Sequence, residues 1–257
     1  MLLALSLIVC SLSTPVSVSI PALAVEATTP VEARGESPAE RKGPAKHPWV
    51  KAGVGAWIEM EIVHREEVQM LYRDELVGLD DERFRLRTTN TLVGIDTDPF
   101  TVERDFDYAY MGFAHLTKGS KKLGTETVKV GNRSHACTVH ERAWEDGQGP
   151  VTSRVWSAAS LDAPVRFEFQ DGENTARFTF TGRYEFQTVG KRRIRCLRYE
   201  GEIFQAGVKL GTGVQWRSDE VPGGIVRNES RLDSPEGVKT HLVRALDFGL
   251  PKDAERR

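Results

Sequence analysis

His135, Cys137 and His140, within the string HACTVH, form the densest set of metal-ligating side chains in the sequence. Structural zinc takes thiolate and imidazole ligands that converge on one point. On a strand, His135 and Cys137 share a face and His140 points the other way, so no metal site is expected. Two carboxylate pairs, Asp96 with Asp98 and Asp105 with Asp107, sit two residues apart. Acid–base catalysis needs such a pair in a desolvated cleft that drives the two pKa values apart. Turn and surface roles fit better, above all for Asp98 before Pro99. A hydrolase would require Asp105 or Asp107 to meet a histidine such as His115. The chain carries no nucleophile elbow, no H-E-x-x-H, no phosphate loop and no C-x-x-C. No catalytic residue, cofactor or metal is expected, and the protein reads as a non-enzyme.

Cys137 and Cys196 are candidates for a disulfide, which by the chain-entropy model would contribute on the order of 4 kcal/mol in an oxidising compartment. The other reading is that each thiol fills a small apolar niche of its own, since the pairing geometry does not follow from spacing. Lys191, Arg192 and Arg193, continued by Arg195 and Arg198, make the one basic concentration. It reads as a solvated turn and strand face, against a site for an acidic glycan or a lipid headgroup.

The compartment follows from the first residues. No charged side chain occurs before Glu26, an apolar run covers Leu2 to Leu12, and Ala22-Leu23-Ala24 supplies a small-x-small triplet. This is the pattern of a secretory signal peptide, residues 1–24, although its start lacks the usual lysine or arginine. Pro15 and Pro21 interrupt the apolar run before it reaches the ~20 residues of a membrane span. No later segment approaches one, so the expectation is export to the periplasm or the extracellular space. Residues 25–48 are rich in proline, alanine and charge without an aromatic, the composition of a disordered linker. The folded part is expected from Trp49 to Leu250, with a disordered tail at 251–257. The whole chain has 35 basic and 37 acidic residues, a formal charge of -2 with the signs interspersed. That balance gives no reason to expect nucleic acid as a partner.

What must position these groups is a β-sheet. From Thr175 to Gln187 the even positions read Ala176, Phe178, Phe180, Gly182, Tyr184 and Phe186, and the odd ones are polar. Period two means a strand with one buried and one wet face, and Gly182 marks a bend. The alternation recurs at Ile58–Ile62, Arg83–Arg87 and Val165–Gln170. Turn residues such as Gly131-Asn132, Asp171-Gly172 and Gly190-Lys191 separate the runs. Short connections demand antiparallel pairing, so a curved meander of ten or more strands is expected. Residues 98–116 have an ambiguous period and interrupt it, as a short helix or another strand.

The chain also repeats itself. Gly131 and Gly190, Cys137 and Cys196, Glu126 and Glu185, and Glu141 and Glu200 are each 59 positions apart, and Trp156 and Trp216 are 60 apart. One unit of roughly 60 residues has been used twice, at about 124–170 and 183–231. The pattern of Gly124, Glu126, Cys137 and Trp156-Ser157, with Trp216-Arg217-Ser218 and Val221-Pro222-Gly223-Gly224 in the second copy, resembles uncharacterised bacterial secreted proteins. These in turn resemble the half-closed antiparallel barrels of periplasmic lipoprotein carriers. That resemblance implies a curved sheet whose concave apolar face holds acyl chains beneath a helical lid, and it carries no catalytic residues. The chain has no clear lid helices.

The resulting expectation is an all-β fold, a strongly curved antiparallel meander forming an open or half-closed barrel. Its function is expected to be non-catalytic binding in the cell envelope, with a lipid or other apolar ligand on the concave face. Trp156, Phe178, Phe180, Tyr184, Phe186 and Trp216 are the candidate lining, and 98–116 a mobile cap. The alternative is a structural or protein-interaction module of the envelope, with a packed interior and an envelope protein as partner.

Overall fold

The computed structural model describes residues 47–64, 67–145, 149–161, 163–235 and 237–251. The expected signal peptide, nearly all of the expected linker and the tail after Pro251 lie outside the described residues. His47 and Pro48 belong to the folded part, which therefore starts two residues earlier than the change in composition suggests. Both are buried, and Pro48 opens a five-residue helix, α1 (Pro48–Ala52), at a position where a missing N–H costs nothing.

Thirteen strands follow: β1 (Trp57–His64), β2 (Glu67–Leu79), β3 (Arg83–Leu92), β4 (Phe100–Asp107), β5 (Lys121–Val130), β6 (Arg133–Glu145) and β7 (Pro150–Ala158), then β8 (Pro164–Asp171), β9 (Asn174–Val189), β10 (Arg192–Gln205), β11 (Val208–Arg217), β12 (Ile225–Ser234) and β13 (Gly237–Gly249). All belong to one antiparallel sheet that is not closed into a barrel. The order is β4-β3-β2-β1-β13-β12-β11-β10-β9-β8-β7-β6-β5. Every neighbour is consecutive in sequence except β1 and β13, which pair along the whole of β1. The first and last strands thus meet, and the meander opens instead between β4 and β5. Glycine explains the tight hairpins: Gly131, Gly172 and Gly190 each stand first in a two-residue loop with φ near +57, where a side chain would be strained.

Between β4 and β5 the chain leaves the sheet. Residues 108–120 run through turns and one 3-10 turn, Ala114–Leu116. The expected ambiguity of 98–116 resolves into a strand and a plug. Ala109 and Ala114 are fully buried, and Phe113 is nearly so. A packed plug stands where a mobile cap was expected, because its small residues fit against the sheet: the Gly112 backbone lies so close to the Phe167 ring that a β-carbon would overlap it.

The apolar residues form two clusters. One gathers Trp49, Ile58, Met60, Phe84, Val189, Ile194, Cys196, Trp216 and Phe248, with neighbours from α1 and both ends of the meander. The other gathers Val128, Cys137, Val139, Trp156, Val165, Phe167, Phe178, Phe180 and Tyr199, with Ala109 and Ala114 of the plug.

Candidate functional site

The six residues expected to line one groove do not come together. Trp156, Phe178 and Phe180 are buried in one cluster and Trp216 in the other, none more than 8% exposed. Tyr184 and Phe186 are 50% and 54% exposed. The reason lies at Gly182, where φ is +78 and the β9–β10 register shifts between Leu197 and Tyr199. An irregularity of this kind redirects the strand. Before it the buried residues of β9 are Ala176, Phe178 and Phe180; after it the buried one is Val189, with Glu185 and Gln187 half-buried. Uninterrupted alternation across Gly182 was the mistaken step.

Phe178 is locked in place rather than available to a ligand. Its ring stacks on Phe167 at 5.3 Å and spreads over Gly201 and Gly213 of the next two strands. A β-carbon at Gly201 would sit 2.5 Å from that ring and 2.3 Å from the Arg177 carbonyl oxygen. The cross-strand row Phe167, Phe178, Gly201, Gly213 is therefore two rings laid across a glycine floor.

The two halves of the internal repeat make matching contacts. Trp156 Nε1 donates to Glu126 Oε2 at 2.7 Å, and Trp216 Nε1 donates to Glu185 Oε2 at 2.6 Å. Glu126 pairs across the hairpin with Cys137, and Glu185 with Cys196. Arg166 lies over the first indole and Arg227 over the second, at 5.6 and 5.1 Å. Both cysteines are free thiols in separate clusters, so the candidate disulfide is absent. Each thiol faces a backbone carbonyl two residues back, His135 and Ile194 respectively. Burial holds both thiols protonated, pushing Cys196 up to about 12.

The one feature of the interior that sequence reasoning missed is Arg217. Its side chain comes from the last residue of β11 and is 5% exposed, and neither Nη1 nor Nη2 has a hydrogen-bond partner among the described residues. The guanidinium lies over the rings of Phe113 at 4.5 Å, Phe167 at 4.6 Å and Tyr199 at 5.9 Å. Phe113 belongs to the plug and the other two to the sheet, so the cation joins the two. Burial lowers its pKa to about 10, which leaves it charged at neutral pH. His47 packs on Phe113 at 4.4 Å and Phe84 at 4.8 Å, and its Nδ1 accepts from the Trp49 N–H, capping α1. Burial, then the charge of Arg217, hold His47 at about 3; burial, then His140 and Arg217, do the same for His115. Two neutral imidazoles thus flank one buried cation. The motif Trp216-Arg217-Ser218 offered one signal for this, an arginine where alternation from Gly213 and Gln215 calls for an inward residue.

The remaining candidates are either bonded or lie exposed in a loop. Asp107 Oδ2 accepts from Arg142 Nη2 at 2.9 Å and its Oδ1 from the Ala109 N–H, tying β4, the plug and β6 together. Asp105 is exposed and doubly bonded to Arg85. Asp96 and Asp98 are exposed in the β3–β4 connection. Among the described residues no three His, Cys, Asp or Glu side chains cluster closely enough to hold a metal. A surface trough of about 590 Å³ is walled by Arg166, Arg177, Thr179, Glu200, Glu202 and Thr212. Its charges are largely engaged: Arg177 with Glu168, Glu202 with Lys209, and Glu200 with Arg198. Such walls suit no apolar chain.

No known protein family matches the sequence, and no curated protein does. Among solved structures, the fold is similar to the hypothetical lipoprotein YmcC from Escherichia coli K12, at 13% identity over 80% of this chain and 91% of that one, with a TM-score of 0.30. It is also similar to a DUF1329 family protein from Desulfovibrio piger, at 11% identity over 81% and 94% of the two chains, with a TM-score of 0.31. Among the described residues no helix is long and apolar enough to cross a membrane.

Proposed function

We propose that this is a non-catalytic, exported binding module of the cell envelope that keeps a closed interior and acts through its surface. The observation that carries the reading is that the aromatic face offered by the sequence is core: Trp156, Phe178, Phe180 and Trp216 are buried beneath or beside α1 and the plug. An apolar ligand would have to displace Phe113 from Arg217 and Trp49 from Gly223, each in van der Waals or cation–π contact. The leader-like first residues support export, and Asp105 and Asp107, the pair that could have served a hydrolase, are held by arginines. The interaction-module reading is thus favoured over a carrier that holds acyl chains inside.

The test is an organic extract of the chain, exported into a bacterial periplasm and purified gently, analysed by mass spectrometry. We expect a monodisperse protein with no stoichiometric apolar molecule. A lipid recovered at one per chain would restore the carrier reading and refute this one.

A further inference from the structure

Several cations of the sheet are paired across strands: Arg73 with Glu59, Arg85 with Asp105, Arg87 with Glu103, Arg154 with Glu141, Arg177 with Glu168 and Lys209 with Glu202. One stretch differs in setting its arginines on exposed rings instead. The outer half of the β9–β10 hairpin, residues 181–197, carries Arg183, Lys191, Arg192, Arg193 and Arg195, and none of the five forms an ion pair among the described residues. Glu185, the only carboxylate in this stretch, is turned to the packed side and bonded to Trp216. The exposed side instead stacks cation on ring: Arg193 over Phe186 and Arg195 over Tyr184, both at 4.0 Å. Stacking occupies the face of a guanidinium and leaves its N–H edge free for an anion.

The protein contains its own control for what the fold requires. The β5–β6 hairpin has the same register, with Thr125 opposite Thr138, Thr127 opposite Ala136 and Lys129 opposite Ser134. The corresponding pairs in β9–β10 are Tyr184 with Leu197, Phe186 with Arg195 and Thr188 with Arg193. On the packed side the copies agree, with Glu126 and Glu185, Val130 and Val189, and Cys137 and Cys196. On the exposed side they diverge, and Tyr184, Phe186, Arg193 and Arg195 stand where the first copy has Thr125, Thr127, Ser134 and Ala136. Threonine, serine and alanine satisfy the hairpin at these four positions. The aromatics and arginines of the second copy are therefore an addition that folding does not ask for.

We infer that the exposed side of residues 181–197 docks the protein onto an anionic phospholipid surface, the arginines taking headgroup phosphates while Tyr184 and Phe186 enter the headgroup boundary. This rests on the reading that the protein acts through its surface. Arg193 and Arg195 on this side, with Lys191 in the adjoining turn, supply the charge complementarity, whereas Arg192 lies over the buried Phe248 ring. The half-exposed rings decide between a membrane and a soluble polyanion: Phe186 has no polar handle, and an interface that takes up apolar area rewards it where an acidic polymer does not.

The experiment is co-sedimentation of the mature chain with phosphatidylcholine vesicles, with and without phosphatidylglycerol, at rising salt. The wild type should bind only vesicles that contain phosphatidylglycerol, and less as salt rises. Arg193→Ser with Arg195→Ala should weaken that binding on the order of 30-fold. Adding Tyr184→Thr and Phe186→Thr should remove what persists at high salt. These are the first copy's own residues, so circular dichroism should show an intact fold. Arg85→Ala with Arg154→Ala, which removes two paired cations elsewhere, should leave binding within about twofold. Failure of the wild type to bind, equal binding by the swapped variant, or binding to soluble polyglutamate but not to vesicles would each overturn the proposal. A clean organic extract alongside such a failure would leave the closed interior standing, whereas a stoichiometric lipid in the extract would defeat that reading first.

Discussion

Arg217 is a full charge inside an apolar cluster, held by ring faces and, among the described residues, by no carboxylate. A buried cation without a counter-ion is costly, and replacing it with an apolar side chain of similar length is often neutral or stabilising. Arg217→Met is therefore expected to keep or raise the unfolding free energy in urea, whereas a loss of more than ~3 kcal/mol would mean the guanidinium holds an ionic partner. His47 and His115 add an acid sensitivity. Both fall to about 3 in the fold from an ordinary 6.5, so below pH 6.5 the unfolded chain takes up protons that the fold refuses. Stability must then fall as pH drops from 6.5 towards 3, at a full cost on the order of 5 kcal/mol per histidine. Asp74 works the other way. Burial lifts its carboxyl to about 6 against the Thr88 hydrogen bond, so it adds stability as pH falls from 6 to 3.8. Two histidines outweigh one aspartate, and thermal unfolding should show a falling Tm between pH 6.5 and 4, a fall that His115→Phe makes shallower.

At the scale of elements, the repeated hairpins were legible because their signals are local. Glycine turns, period-two alternation and the spacing of Cys137 and Cys196 all lie within one unit. The Glu–Trp contacts that make the copies equivalent were half legible, since Glu126 with Glu185 and Trp156 with Trp216 matched in spacing but not visibly in contact. What failed was alternation through Gly182, because period two holds only until the backbone adds residues to one strand. The equivalence makes a quantitative expectation. Trp156→Phe and Trp216→Phe each lose one indole–carboxylate hydrogen bond in a separate cluster. Each should cost about 1–2 kcal/mol in urea unfolding, with the double variant near the sum. Strong non-additivity would show that the two clusters act as one.

For the whole molecule, the all-β antiparallel meander was readable from turn spacing, and the place where it opens was not. Pairing of β1 with β13 joins residues nearly two hundred positions apart, and no local pattern encodes that partner. The gap falls between β4 and β5 because residues 108–120 turn inward, pinned by Asp107 on Arg142 and by Phe113 under Arg217. Those contacts join Asp107 to Arg142 and Phe113 to Arg217, partners far apart in the chain that composition and periodicity do not reveal. The same plug decides the functional account, since the proposed closed interior depends on its staying packed against Phe167 and Arg217. Its most direct test is hydrogen exchange of the native chain, followed by mass spectrometry of peptides spanning 108–120. Backbone bonds such as Phe113 N–H to Ala109 C=O and Thr117 N–H to Ala114 C=O, beneath buried side chains, should give protection comparable to that of β8 and β11. Exchange within the first seconds across 108–120, with β8 and β11 still protected, would show a cap that opens and would contradict the closed interior.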